Sequence, residues 1–139
     1  MGYRFHPRSR TIKMDDWIFS PVLQRTYAST EAHYLLLRHL FEGQPIAYCR
    51  VSATCNSLNV KARQYHEQMG YKYEGTFRKD NIARWGTPRD SACSSMLDDE
   101  WPLNKSVLLT YLLATNFDAD GKQIRSLQEL RTLQTRCSL

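Results

Sequence analysis

Hydrophobic and polar positions divide the chain into alternating strand-like and helix-like stretches. Over residues 10–19, Ile12 and Met14 alternate with Thr11 and Lys13, and Trp17-Ile18-Phe19 follow, which predicts a strand. Ser20-Pro21 ends it, because proline cannot donate to a sheet ladder. Residues 26–42 read as a helix. Ala32, Leu35, Leu36, His39 and Leu40 recur at the i, i+3, i+4, i+7 spacing of one buried face. Ser29 or Thr30 serves as its cap, Glu31 falls in the positive first turn, and Gly43 with Pro45 closes it. The lysine-free run 47–54 reads as a buried strand.

Residues 59–69 form a second predicted helix. Asn59 is its cap, Ala62, Tyr65, His66 and Met69 share a face, and Gly70 supplies a left-handed ending. Residues 71–78 alternate aromatic with polar positions, as a half-exposed strand does, and 91–97 read as a last strand. Asp80-Asn81 and Gly86-Thr87-Pro88 carry turn chemistry. A helix is predicted over 102–115, with Leu103, Val107, Leu108, Tyr111 and Leu112 inward. A turn over 118–121 follows, then a short helix over 126–134 with Leu127, Leu130 and Leu133. This order predicts an α/β or α+β domain, with helices covering a mixed sheet and one parallel pairing.

At 139 residues the chain is one domain and can bury a core without metal or disulfide staples. Its 42% hydrophobic and 24% charged residues exclude wholesale disorder. The longest apolar stretch, 107–114, is interrupted by Thr110 and falls far short of the ~20 residues that span a bilayer. The opening MGYRFHPRSR has basic residues but no apolar run behind them, unlike a secretory signal. A cytoplasmic protein with no membrane partner is the expectation.

Nineteen basic residues face fourteen acidic ones, a net charge of +5, and Arg4, Arg8, Arg10 and Lys13 all precede the first acid, Asp15. The excess invites an anionic partner such as a nucleic acid, an anionic membrane or a phosphorylated cofactor, although the mixed signs elsewhere suit a solvated surface. Arg78, Lys79, Arg84, Trp85 and Arg89 suit a hairpin rim, or an RNA contact. Cys49, Cys55, Cys93 and Cys137 lack the C-x-x-C spacing of zinc or redox sites, so reduced thiols are expected, with Cys49 and Cys55 on a core face. No metal site is expected. Asp118, Asp120 and Gly121 hint at a calcium loop, but the glycine comes too early and the closing glutamate is missing.

The joint over 19–30 is the most informative stretch. A strand leading into a helix N-terminus presents free N–H groups and the positive dipole end to an anion. Arg25 adds charge there, and Ser29 and Thr30 add hydroxyls. An ordinary capped helix accounts for the same residues, and no glycine eases a phosphate onto the backbone.

Three ordered segments, SPVLQRTYASTEAHYLLLRHLFE, NSLNVKARQYHEQMGYKYEGTFRKDNI and RDSACSSMLDDEWP, together resemble the GNAT superfamily of acetyl-CoA-dependent N-acetyltransferases. The nearest branch is the one whose bacterial members acetylate the N-termini of ribosomal proteins. The tail TNFDADGKQIRSLQELR resembles the tails of family members, and the likeness extends over roughly residues 11–131. It implies a GNAT-like mixed, mostly antiparallel sheet flanked by helices. It begins near the family's third strand, so the domain is expected to be incomplete on its N-terminal side. A partial domain over 1–116 and a turn with a short helix over 117–139, packed on or trailing it, follow from that.

The resemblance implies acetyl-CoA as cofactor and an amine, either a protein N-terminus or a small amine, as acceptor. Gln24 begins the family's Q/R-x-x-G-x-G/A loop, which gives Gln24, Arg25, Thr26, Ala28, Ser29 and Thr30 as cofactor-binding residues. Tyr27 and Ser29 stand at its two small positions, and Tyr27 would crowd the phosphate or force an unfavourable backbone angle. Asn59 matches the asparagine beside the pantetheine arm, and Arg63 follows it. Ala62 replaces a hydroxyl residue suited to protonating the leaving thiolate, and Lys13 replaces the family's glutamate. Asp15, Asp16 and Tyr65 are therefore the catalytic candidates. Glu74-Gly75 fits a structural strand of the family. Two other readings stand beside an acetyltransferase, namely an inactive or truncated remnant and a basic RNA- or ribosome-binding module. A bare sheet edge would favour a homodimer.

Overall fold

The computed structural model describes residues 2–15, 18–43, 45–83 and 85–137. Its strands are β1 (Gly2–His6), β2 (Thr11–Asp15), β3 (Arg50–Asn56), β4 (Lys72–Ile82) and β5 (Pro88–Leu97). Its helices are α1 (Tyr27–Glu42), α2 (Val60–Met69), α3 (Trp101–Leu112) and α4 (Leu127–Cys137). The strands form one sheet in the order β1-β2-β3-β5-β4. Only β2 and β3 run parallel, as the crossover through α1 requires. The other three pairings are antiparallel, so the sheet is mixed and mostly antiparallel, as the resemblance implied.

Residues 2–6 add a strand outside β2, so the bare edge expected of the sheet lies on β1. Gly2–His6 folds back through a turn at Pro7–Ser9 and pairs with β2 from Gly2↔Asp15 to His6↔Thr11. The run is short, although Tyr3 and Phe5 alternate with Arg4 and His6 as strand positions do. Its strand state comes from the hydrogen-bond edge that β2 offers. The outer edge of the sheet therefore belongs to β1.

One apolar face of the sheet supplies Ile12, Met14, Val51, Ala53 and Met96 to the core. Leu37, Leu40 and Phe41 of α1, Val107 and Leu108 of α3, and Leu127 and Leu130 of α4 meet them there. Tyr34 and Phe41 stack on Trp101, with ring centroids 6.1 and 5.3 Å away. These contacts turn α1 away from the predicted face. Ala32, Leu35 and His39 are exposed, while His33, Tyr34, Leu37, Leu40 and Phe41 are buried. Likewise Leu103 and Leu133 face outward. Asn104 is buried instead, where Arg131 Nε and Nη2 donate to its Oδ1 at 3.3 and 3.2 Å.

Caps and turns differ in detail. Thr26 caps α1 by accepting from the Ser29 amide, so neither Ser29 nor Thr30 is the cap, and Glu31 lies beyond the first turn. Asn59 Oδ1 accepts from the Ala62 amide at 3.1 Å, and Gly70 ends α2 at φ +98°, both as predicted. Asp80-Asn81 is no turn but lies inside β4. The register slips there between Phe77 and Asn81, and Lys79 takes φ +52° while its amide bonds Asp90. Asp118 Oδ1 accepts from the Asp120 and Lys122 amides and so builds a local turn. Cys49 and Cys55 are only half-buried, whereas Cys93 is buried, and all three thiols are free. Among the described residues no helix is long and apolar enough to cross a membrane.

Candidate active site

The parallel ladder between β2 and β3 ends at Met14↔Ala53. β3 runs on to Asn56, still paired with β5 as far as Asn56↔Ser91. Among the described residues β3 has no ladder partner on its β2 side beyond Ala53, which leaves an opening there. The segment from residue 18 into α1 meets α2 through Phe19, which packs on Tyr65.

On the α1 side, Ser20 O accepts from the Leu23 and Gln24 amides at 2.9 and 3.1 Å, and Gln24 Nε2 donates to Phe19 O at 3.0 Å. The segment is thereby folded into a tight turn. Arg25 follows at φ +62°, in the left-handed region that disfavours a side chain. The unfavourable angle therefore falls on Arg25 and not on Tyr27, which is the first helical residue. Thr26 spends its hydroxyl on Leu23 O at 2.8 Å and accepts from the Ser29 amide. The Tyr27 and Ala28 amides, at the first two helical positions, have no intrahelical acceptor and lie at the positive end of the dipole. Arg25 is exposed beside them.

The hydroxyls of Ser29 and Thr30 are not free donors. Ser29 Oγ donates to Thr26 O at 2.7 Å, Thr30 bonds the Tyr111 hydroxyl, and both residues are buried. The Tyr27 ring is exposed and sits edge-on to Phe117, 6.0 Å between centroids. On α2, Arg63 lies over the ring of Tyr73 on the edge strand β4 at 5.4 Å, and Ala62 brings no hydroxyl.

Tyr65 lies on the inner face of α2, edge-on to Phe19 at 6.2 Å. Its hydroxyl is 3.0 Å from His33 Nδ1, and His33 Nε2 is 3.1 Å from the Tyr71 hydroxyl. Burial holds His33 at about 3, with His66 adding to the effect, so the imidazole is neutral and links the two phenols. Burial also pushes both phenols upward, with Tyr65 adding to the shift at Tyr71. His33 and Tyr71 were missed by the sequence reading, because their partners come from three separate elements.

Asp15 stands where the ladder ends. Its Oδ1 accepts from Thr54 Oγ1 of β3, and Lys13 Nζ lies 3.6 Å from its Oδ2. Asp16 and Arg84 lie outside the described residues. Glu74 is bound by Arg50 and by Ser95 Oγ at 2.7 Å; the Arg50 hydrogen bond is the larger cause holding it at about 2. That pairing fits the structural part given to Glu74. Thr54 carried one usable signal, since it falls on the same strand face as Ser52, opposite Lys13.

Solved structures share this architecture. A GCN5-related N-acetyltransferase from Brucella melitensis superposes with a TM-score of 0.87 at 33% identity, over 93% of this chain and 57% of that one. Two matches under 25% identity share the fold alone. Mycobacterium smegmatis RimJ, solved with CoA-disulfide, matches at TM-score 0.62 and 21% identity, over 76% of this chain and 49% of that one. The microcin C7 self-immunity acetyltransferase MccE, solved with acetyl-CoA and AMP, matches at 0.58 and 18%, over 66% and 49%. No family model and no curated protein matches the chain. By these structural likenesses the chain belongs to the GNAT family of acetyltransferases. It spans somewhat over half the length of the Brucella relative.

Proposed function

We propose that the chain binds acetyl-CoA at the 24–30 joint and transfers the acetyl group to an amine, either a protein N-terminus or a small amine. The observation that carries this reading is the opening between β2 and β3, together with an α1 N-terminus whose first two amides lack an intrahelical acceptor and with Arg25 beside them. Those groups suit the pyrophosphate of a coenzyme A substrate. The acetyl-CoA bound by MccE, a protein of the same fold, supports the choice. Ser29 and Thr30 contribute through backbone, since their hydroxyls are engaged, and Gln24 contributes by holding the turn. Asn59 orders the start of α2 on the other side. Arg63 follows Asn59 by one helical turn on α2, although its guanidinium lies over Tyr73 of the edge strand β4.

Asp15 is the proton acceptor in this reading, because it is the described carboxylate at the end of the ladder. The amine nitrogen bonds the thioester carbonyl carbon, the carbon–sulfur bond breaks, Asp15 takes the amine proton and water protonates the thiolate. A backbone amide of the segment leading into the joint stabilises the oxyanion. Turnover is slow, because Ala62 supplies no acid, Lys13 replaces a carboxylate and the Tyr65 hydroxyl is committed to His33. Such a chain grades into the inactive-remnant reading. The outer strand β1 offers an edge through which a second copy pairs, and the protein is cytoplasmic. The test is thiol release from acetyl-CoA over a panel of N-terminal peptides and small amines. Release dependent on both acceptor and protein is expected. None above the uncatalysed rate with any acceptor would leave the remnant and the RNA- or ribosome-binding readings.

A further inference from the structure

We propose that Thr54 is a positioning residue for Asp15, gripping one carboxylate oxygen so that the other is presented to the acceptor amine. The inference rests on the reading of Asp15 as proton acceptor. Thr54 is the first residue of β3 past the last ladder pair, Met14↔Ala53, and Asp15 is the residue of β2 just past it. Among the described residues no ladder pair joins these two positions. The bond from Thr54 Oγ1 to Asp15 Oδ1 is the side-chain link that crosses the gap there. Ser52, one ladder step earlier on the same face, spends its hydroxyl on Ile12 O at 3.3 Å, so it cannot serve Asp15.

The two carboxylate oxygens are held unequally. Oδ1 takes the threonine hydroxyl, while Oδ2 has Lys13 Nζ at 3.6 Å, too far for a tight hydrogen bond. Oδ2 is thus the oxygen with room for a further proton donor. The groups facing Asp15 come from every neighbouring strand. Lys13 shares β2, Gly2 lies directly opposite on β1 with no side chain, and Arg4 on β1 lies opposite Lys13. Cys93 of β5 lies opposite Thr54, and the Arg50–Glu74 pair lies further along the same face. None of these is placed to orient Oδ1, so that task falls to Thr54. A carboxylate displaced by ~1 Å would lose up to ~10²-fold in rate.

The test is single-turnover transfer, with protein in excess over acetyl-CoA and the N-acetyl product read by mass spectrometry. Wild type, Asp15→Asn, Thr54→Val and Thr54→Ser are compared, and acetyl-CoA affinity and melting temperature are measured for each. Thr54→Val should slow transfer about 10- to 100-fold with acetyl-CoA affinity and folding unchanged. Thr54→Ser, which keeps the hydroxyl, should stay within about threefold of wild type. Transfer lost in Asp15→Asn but retained in Thr54→Val would overturn the role of Thr54 and leave Asp15 standing. Equal losses in the valine and serine variants would also overturn it, because they would trace to packing. Asp15→Asn as fast as wild type, or wild type with no transfer, would overturn the reading of Asp15 and this inference with it.

Discussion

Replacing Arg25 with glycine should raise stability and weaken acetyl-CoA binding in one step. Arg25 holds φ +62° at the entry to α1. A side chain in that region costs roughly 1–2 kcal/mol through the clash of Cβ with the backbone. Glycine removes the clash but adds unfolded-state entropy of roughly 0.5–1 kcal/mol. The net gain is about 0.5–1 kcal/mol, or a melting temperature higher by about 2–4 °C for a domain of this size. Losing the guanidinium beside a pyrophosphate forfeits a charged hydrogen bond of about 1.5–3 kcal/mol, roughly 10- to 150-fold in affinity. Calorimetric melting and acetyl-CoA titration on the same two proteins read both quantities. A lower melting temperature for Arg25→Gly would show that no strain is stored at this position. Unchanged affinity would remove Arg25 from the cofactor site.

Tyr27→Gly should lower the melting temperature, since Tyr27 is already helical and its ring packs on Phe117; a rise would place strain there instead. Leu37→Ala should cost about 2–5 kcal/mol in urea unfolding, because Leu37 is wholly buried at the centre of the core. Burial holds His33 at about 3, below its ordinary 6.5, so the folded state binds fewer protons than the unfolded one. That stability is present above about pH 6.5 and is lost at up to about 1.4 kcal/mol per pH unit as pH falls toward 3. The urea midpoint should therefore drop between pH 7 and 5, and His33→Gln should flatten the drop; an unchanged slope would assign it elsewhere. Ala62→Ser should speed thiol release about 10²-fold or more, the range of general acid catalysis, and no change would show that water protonates the thiolate adequately.

Much of the fold was legible where local chemistry and tertiary context agree. Asn59 and Gly70 bound α2 as their side-chain and backbone preferences dictate, and the buried face of α2 follows its apolar spacing. Agreement fails where partners decide. On α1 two faces offered apolar spacing, and the choice went to the one whose Tyr34 and Phe41 stack on Trp101 and whose His33 finds two phenols. β1 is only five residues long and, despite the alternation of Tyr3 and Phe5 with polar neighbours, takes its strand state from the edge that β2 lends it. At the site, the location of the joint was legible from proline, the helix start and Arg25. The position of the strain was not. It depends on how Ser20 O draws in the Leu23 and Gln24 amides, which moves the left-handed turn two residues ahead of Tyr27. Nor could spacing show that Ser29 and Thr30 turn inward, or that Tyr65 is committed to a histidine 32 positions away.

The proposed function depends first on acetyl-CoA binding at the N-terminus of α1. The most direct measurement is an amide-resolved NMR titration of the chain with acetyl-CoA, repeated on Arg25→Glu. Saturable shifts at the Arg25, Tyr27 and Ala28 amides are predicted, extending to Asn59 across the opening, with affinity sharply reduced in the charge-reversed chain. Shifts confined to another surface, or binding indifferent to Arg25→Glu, would contradict the account.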